Sequence, residues 1–123
     1  MDFPKEFLDY ISLNKHRNFF GFGVYELDGQ GLVGNWTNNQ HAGNFMHEIA
    51  GKKDSVSGLI GNYVFAYLDF KNVSNIGELE INFNEQGGYY NLKWKDGDSP
   101  IFVGIGMETR RNQLSVFYWK YNK

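Results

Sequence analysis

The sequence predicts an all-β fold, an eight-stranded antiparallel up-and-down barrel preceded by a short N-terminal α-helix. Three observations carry that expectation. Fifteen glycines against two prolines, with 18% aromatic residues, describe short strands joined by tight turns. From Phe19 onward, eight segments rich in aromatic and β-branched residues follow one another, each bounded by turn chemistry. The connections between them are short, which suits antiparallel neighbours and leaves no room for parallel crossovers. A meander with one apolar face can close on itself, and closure removes its exposed edges. Eight strands stand at the boundary between an interior filled by side chains and one that holds a single small ligand.

The elements follow in order. Phe3, Phe7, Leu8 and Ile11 recur at three- and four-residue spacing after Pro4, which suits a first helical turn, so residues 4–14 are expected to form one amphipathic helix. Strands are expected at 19–27, 31–38, 43–50, 57–70, 77–84, 88–95, 101–108 and 113–121. Alternation is clearest late in the chain, where Leu79, Ile81 and Phe83 oppose Glu78, Glu80, Asn82 and Asn84. In the next strand Tyr90, Leu92 and Trp94 oppose Tyr89, Asn91, Lys93 and Lys95. Asp28-Gly29, Asn38 to Gly43, Gly51 to Asp54, Lys71 to Asn75, Gln86-Gly87-Gly88, Asp96-Gly97-Asp98 and Arg110-Arg111-Asn112 supply the turns. The length of 123 residues fits one domain, with 1–18 as a helical cap and 19–123 as the barrel.

Part of the chain repeats. Phe19, Gly21, Gly23, Gln30, Val33 and Trp36 recur at one constant offset as Phe102, Gly104, Gly106, Gln113, Val116 and Trp119. A shorter echo links Gly31-Leu32-Val33-Gly34-Asn35-Trp36 with Gly58-Leu59-Ile60-Gly61-Asn62-Tyr63. Glycines inside strands mark coiling or close backbone approach, as a small barrel requires.

Composition narrows the function classes. A net charge of −2 with 21% charged residues favours neither nucleic acid nor an acidic membrane surface. The absence of cysteine excludes disulfides, thiolate chemistry and cysteine-rich zinc sites. The opening Met1-Asp2-Phe3-Pro4-Lys5-Glu6 has no basic segment leading into an apolar run, so a cytoplasmic location is expected. In that compartment the Asn35-Trp36-Thr37 and Asn72-Val73-Ser74 sequons are chance matches. Lys93, Lys95, Arg110 and Arg111 make a modest basic patch near Tyr89, read as a solvated surface in preference to a single-strand contact.

Catalytic signals are weak. His41, His47 and Glu48 form the one cluster with acid, base or metal potential, but His47 and Glu48 are neighbours in a strand and point to opposite faces. Gly29-Gln30-Gly31-Leu32-Val33-Gly34 fits a dinucleotide fingerprint by letter and opens a strand, where no helix N-terminus can hold the phosphates. No catalytic residue, cofactor or metal ligand is therefore assigned. Large rigid apolar surface is plentiful, in Trp36, Tyr63, Phe65, Tyr67, Trp94, Phe102, Tyr118 and Trp119, and such residues line small-molecule pockets or simply fill a narrow core.

Gly34-Asn35-Trp36 resembles the Gly-x-Trp signature of the calycin superfamily, and the run through Thr37-Asn38 is more similar to the first strand of avidins than to that of lipocalins. Gly58-Leu59-Ile60-Gly61-Asn62-Tyr63 resembles the avidin strand carrying Thr-Gly-x-Tyr. Tyr90 to Lys95, then Ser99 and Phe102-Val103-Gly104, resemble the avidin pair with Trp-Lys, a serine-bearing loop and Phe-x-Gly. The resemblance implies a barrel whose ligand contacts include Asn38, Tyr63, Trp94, Ser99 and Phe102, joined by Trp36 from the residue chemistry above. Here an extra strand precedes the Gly-x-Trp and one is missing after Lys120, which implies a permuted barrel. Ala42 and Gly97 stand where avidins place serines that bond biotin, so the resemblance does not single out biotin.

The leading expectation is a non-enzymatic barrel that binds a small apolar or amphipathic molecule in its mouth. Two alternatives stand beside it. One is a protein-interaction or homo-oligomerisation module using outward Tyr89, Phe117 or Tyr121. The other is a barrel enzyme of isomerase or cyclase type with Asp69, Glu26 or His47 as proton carrier.

Overall fold

The computed structural model describes residue 5 and residues 19–29, 31–41, 43–54 and 58–121. The helix expected over 4–14 lies outside these residues except for Lys5, as does Ala42. The described chain forms eight strands: β1 (Phe20–Asp28), β2 (Gly31–Asn38), β3 (Met46–Lys52), β4 (Gly61–Leu68), β5 (Ser74–Asn84), β6 (Tyr89–Asp96), β7 (Ser99–Arg110) and β8 (Gln113–Lys120). Each pairs antiparallel with the next, and β1 pairs with β8, so the sheet is a closed up-and-down barrel.

Turn chemistry fixes where the strands reverse. Gly97 takes φ 61° between β6 and β7, and Asn112 takes φ 63° between β7 and β8, the left-handed conformation that tight hairpins need. Asp69 accepts hydrogen bonds from the backbone N–H groups of Lys71 and Val73, which holds the β4–β5 turn.

Alternation then sorts the side chains. Leu32, Tyr63, Phe65, Leu79, Ile81 and Leu114 are almost wholly buried and fill the barrel. The interior glycines are the counterpart of the interior rings. Tyr25 pairs directly with Gly34, Phe65 with Gly77, and Tyr118 with Gly21 on one side and Gly104 on the other. In the first two pairs, and at Gly21, a Cβ on the glycine would overlap the partner's ring, so each large ring lies across the bare backbone of the neighbouring strand. A narrow barrel accommodates many rings this way.

Two expectations are corrected. Trp119 faces outward, with its ring 5.8 Å from Phe117, because its neighbour Tyr118 takes the inward position. The outer face is also less polar than a simple inside-out rule predicts. Val33, Ile49, Ala66 and Ile76 are partners in successive strands and form one row across β2 to β5. Ile49 is 61% exposed and Ile76 68% exposed.

Candidate functional site

Seen along the barrel, β1, β3, β5 and β7 begin at one end, and β2, β4, β6 and β8 finish there. That end holds a cavity of about 40 Å³. Its walls are aromatic: Phe19 ahead of β1, Trp36 near the end of β2, Tyr67 of β4, Trp94 of β6, Phe102 of β7 and Tyr118 of β8. Tyr25 and the carboxyl of Glu48 complete it. The opposite half of the barrel is solid with Leu32, Tyr63, Leu79, Ile81 and Leu114.

Glu48 reaches the interior because β3 turns Met46, Glu48 and Ala50 inward while His47 and Ile49 face out. Its partners across the sheet are Gly34 and Tyr67. The bare backbone at Gly34 lets the Tyr25 ring lie flat beside it, and the Tyr25 hydroxyl donates to Glu48 Oε1 at 2.9 Å. From across the barrel Trp94 Nε1 donates to Oε2 at 3.2 Å. Each carboxyl oxygen thus has one donor, and the side chain is 3% exposed.

Burial dominates the acid's ionisation. Desolvation lifts its pKa to about 7, against the two hydrogen bonds, which work to lower it. The tyrosines around it stay neutral. Burial pushes the Tyr25 and Tyr118 hydroxyls well above the usual tyrosine value and Tyr67 up to about 12. The ion pairs among the described residues, Lys53–Glu78, Lys95–Glu80 and Arg110–Glu26, all involve other carboxylates. Glu48 is held by donors alone.

A second polar group in the wall is unsatisfied. Trp36 Nε1 is buried and has no hydrogen-bond partner among the described residues. Leaving such a donor unpaired costs roughly 1 to 3 kcal/mol. Around Trp36 the loops β2–β3 and β4–β5 converge: His41 stacks on Phe70 at 3.9 Å, and Phe70 meets Trp36 edge-on at 6.0 Å. Thr37 Oγ1 donates to Asn44 O at 2.8 Å and fixes the first of these loops.

Of the ligand contacts expected from sequence, the structure brings Trp36, Trp94 and Phe102 together in the cavity wall. Asn38 stands behind it: its Oδ1 accepts from the N–H groups of Gln40 and His41, while the Tyr118 hydroxyl donates to the neighbouring Thr37 O at 3.3 Å. Tyr63 lies at the start of β4, in the opposite half, where its hydroxyl donates to Leu59 O at 2.8 Å. Ser99 is exposed in the β6–β7 hairpin, beside Gly97. The three proton carriers considered for an enzyme lie away from the cavity. Glu26 bonds Arg110 and Gln113 on the surface, Asp69 holds its turn, and His47 is exposed. The interior acid is Glu48, which sequence reasoning set aside with its neighbour.

The cavity can hold one or a few small groups. A water needs roughly 10–15 Å³ and a drug-sized molecule roughly 300–1,000 Å³. A polar head fits; a whole large ligand does not. The barrel is consistent with a calycin-like fold, and no protein-family model, curated protein or solved structure matches the chain.

Proposed function

We propose that this barrel is a non-enzymatic binder of a small amphipathic molecule, whose polar head enters the aromatic cavity while its apolar part stays near the mouth. The observation that carries the reading is the pairing of an unsatisfied donor, Trp36 Nε1, with a buried carboxyl, Glu48, in the wall of one cavity. A tightly packed core has no use for either group. Both become favourable when a guest supplies an acceptor for the indole and a donor for the carboxyl. Binding without chemistry is favoured because the other polar groups of the wall are tyrosines held neutral and indoles, which offer Glu48 no partner for a proton-transfer cycle.

An avidin-like ancestry fits this reading. Trp36 of the Gly-x-Trp lies in the cavity wall, and the strand preceding it, β1, lies beside the final strand, β8, as a permuted calycin requires.

Tryptophan fluorescence tests the proposal, since Trp36 and Trp94 line the cavity while Trp119 is outside it. Titration with short-chain amphiphiles carrying alcohol, amide, amine or carboxylate heads is expected to give a saturable change for at least one head. Trp36→Phe is expected to weaken that binding by about 1 to 3 kcal/mol, the worth of the recovered hydrogen bond. No saturable response to any head would end the proposal.

A further inference from the structure

We infer that the head this cavity accepts is a protonated amine, with Glu48 as its counter-ion; the inference rests on the binding role proposed above. Three features of the wall converge on a cation. Glu48 is a carboxyl buried in an aromatic interior, and both its oxygens already receive donors, Tyr25 Oη at 2.9 Å and Trp94 Nε1 at 3.2 Å. Donors on both oxygens suit the ionised form, which accepts and does not donate. Yet among the described residues the groups facing it from the surrounding strands are Tyr25, Tyr67, Tyr118 and the two indoles, none of them positively charged. Among these residues the carboxylate has no cation beside it.

The walls suit the same guest. Trp36, Tyr67, Trp94 and Tyr118 present ring surfaces to one small volume, and aromatic faces attract ammonium groups most strongly where water is excluded. A space of about 40 Å³ admits a primary ammonium with its first carbon more readily than a bulky quaternary head. The Trp36 N–H adds a preference for an acceptor atom close to the amine, as in an amino alcohol or an aminocarbonyl compound. An anionic head would meet Glu48 directly and be rejected.

Proton linkage follows from this pairing. An ammonium beside Glu48 stabilises its ionised form, so binding expels the carboxyl proton near neutrality and affinity rises as the pH passes upward through that range. A neutral head that accepted a hydrogen bond from protonated Glu48 would show the opposite slope.

The experiment compares n-propylammonium, 1-propanol and propionate on the full chain by calorimetry or fluorescence at pH 8. The expected order is ammonium over alcohol by at least about tenfold, with propionate not bound; Glu48→Gln is expected to abolish the preference for the ammonium over the alcohol. Propanol binding as well as or better than the ammonium, or a preference that survives in Glu48→Gln, overturns the amine and keeps the binding site. Failure of all three probes overturns the amine, and failure of an amide head as well overturns the binding site with it.

Because the variant could misfold, a second measurement uses the unaltered protein. The carboxyl carbon resonance of Glu48 is titrated with and without saturating propylammonium, and its midpoint is expected to fall by about one pH unit or more. A midpoint that stays in place also overturns the inference.

Discussion

Glu48 is one residue on which stability and binding pull in opposite directions. Its pKa is raised by burial from 4.5 to about 7, so the folded barrel holds the proton more tightly than the unfolded chain does. Its contribution to stability is therefore greatest below about pH 4.5, declines as the pH rises toward 7, and stays reduced above that. Between pH 5 and pH 8 the loss amounts to about 2 to 3 kcal/mol. Glu48→Gln removes the titration, though it leaves either Tyr25 or Trp94 facing an amide in place of an oxygen. The variant's lost hydrogen bond is the same at both pH values, so it cancels in the comparison. Urea unfolding is expected to show the variant gaining about 2 to 3 kcal/mol on the parent between pH 5 and pH 8. Parallel pH profiles for the two proteins would mean that Glu48 is not buried as described.

The sequence hid this residue for a physical reason. In His47-Glu48-Ile49-Ala50 the apolar Ile49 is the natural inward candidate, and choosing it sends Glu48 to solvent. The structure does the reverse, leaving Ile49 61% exposed. Register decides, since Glu48 must face the same way as its partners Gly34 and Tyr67. A one-residue change of face is invisible to a pattern that counts apolar residues in a short strand.

At the scale of elements, the glycine and ring pairs explain both what was legible and what was not. Strand positions were readable because turn residues and alternation repeat at short intervals, and β2 was expected at 31–38, where it lies. The Phe-x-Gly-x-Gly repeat was also structural: Phe19 and Phe102 both reach the cavity, with ring centroids 5.5 Å apart, and Gly21 and Gly104 both flank Tyr118. The repeat fails in its second strand. Gly23 pairs with Trp36, whereas Gly106 pairs with Val116 in place of Trp119, and a bulge interrupts the ladder between Glu108 and Arg110. The two hairpins differ by an odd shift, which reverses the face of every following side chain. Trp36 points in and its counterpart Trp119 points out.

The same pairs make a stability prediction. A methyl group at Gly34 would enter the Tyr25 ring, and the ring cannot yield without losing its bond to Glu48. Gly34→Ala is expected to cost at least about 1 to 3 kcal/mol as overpacking. Gly51→Ala is the control, because that position has open space around a Cβ and pairs with the same strand. Urea midpoints of the two variants check the contrast; equal small losses would show that the ring does not lie against Gly34.

For the whole molecule, closure is the property that everything else depends on. The meander order was legible because short connections allow few alternatives, and closure was expected because it removes the meander's edges, but the register of the joining ladder is a long-range property that no local pattern encodes. It rests on the β1–β8 ladder, in which Phe20 pairs with Trp119 and Glu26 with Gln113. Gly21 and Tyr118 contribute through the close approach of ring and backbone across that ladder. No helix among the described residues is long and apolar enough to cross a membrane.

In a ring of strands no connection is privileged. The ends of the ladder, Phe20 and Trp119, are adjacent residues across one strand pair, about 5 Å apart. Joining Lys123 to Met1 through a short glycine linker therefore connects the two strands of this seam, and the chain can be reopened elsewhere. The β6–β7 turn at Gly97 is suitable, being exposed and tight. Opening it there places β6 and β7 at the chain ends while every ladder keeps both strands. The permuted protein is expected to retain the near-ultraviolet circular dichroism of the parent, since the same rings enclose the same cavity. Its urea m-value is expected to be unchanged, because the surface buried on folding is the same. A much smaller m-value together with loss of the aromatic signal would show that the β1–β8 seam forms only in the native chain order.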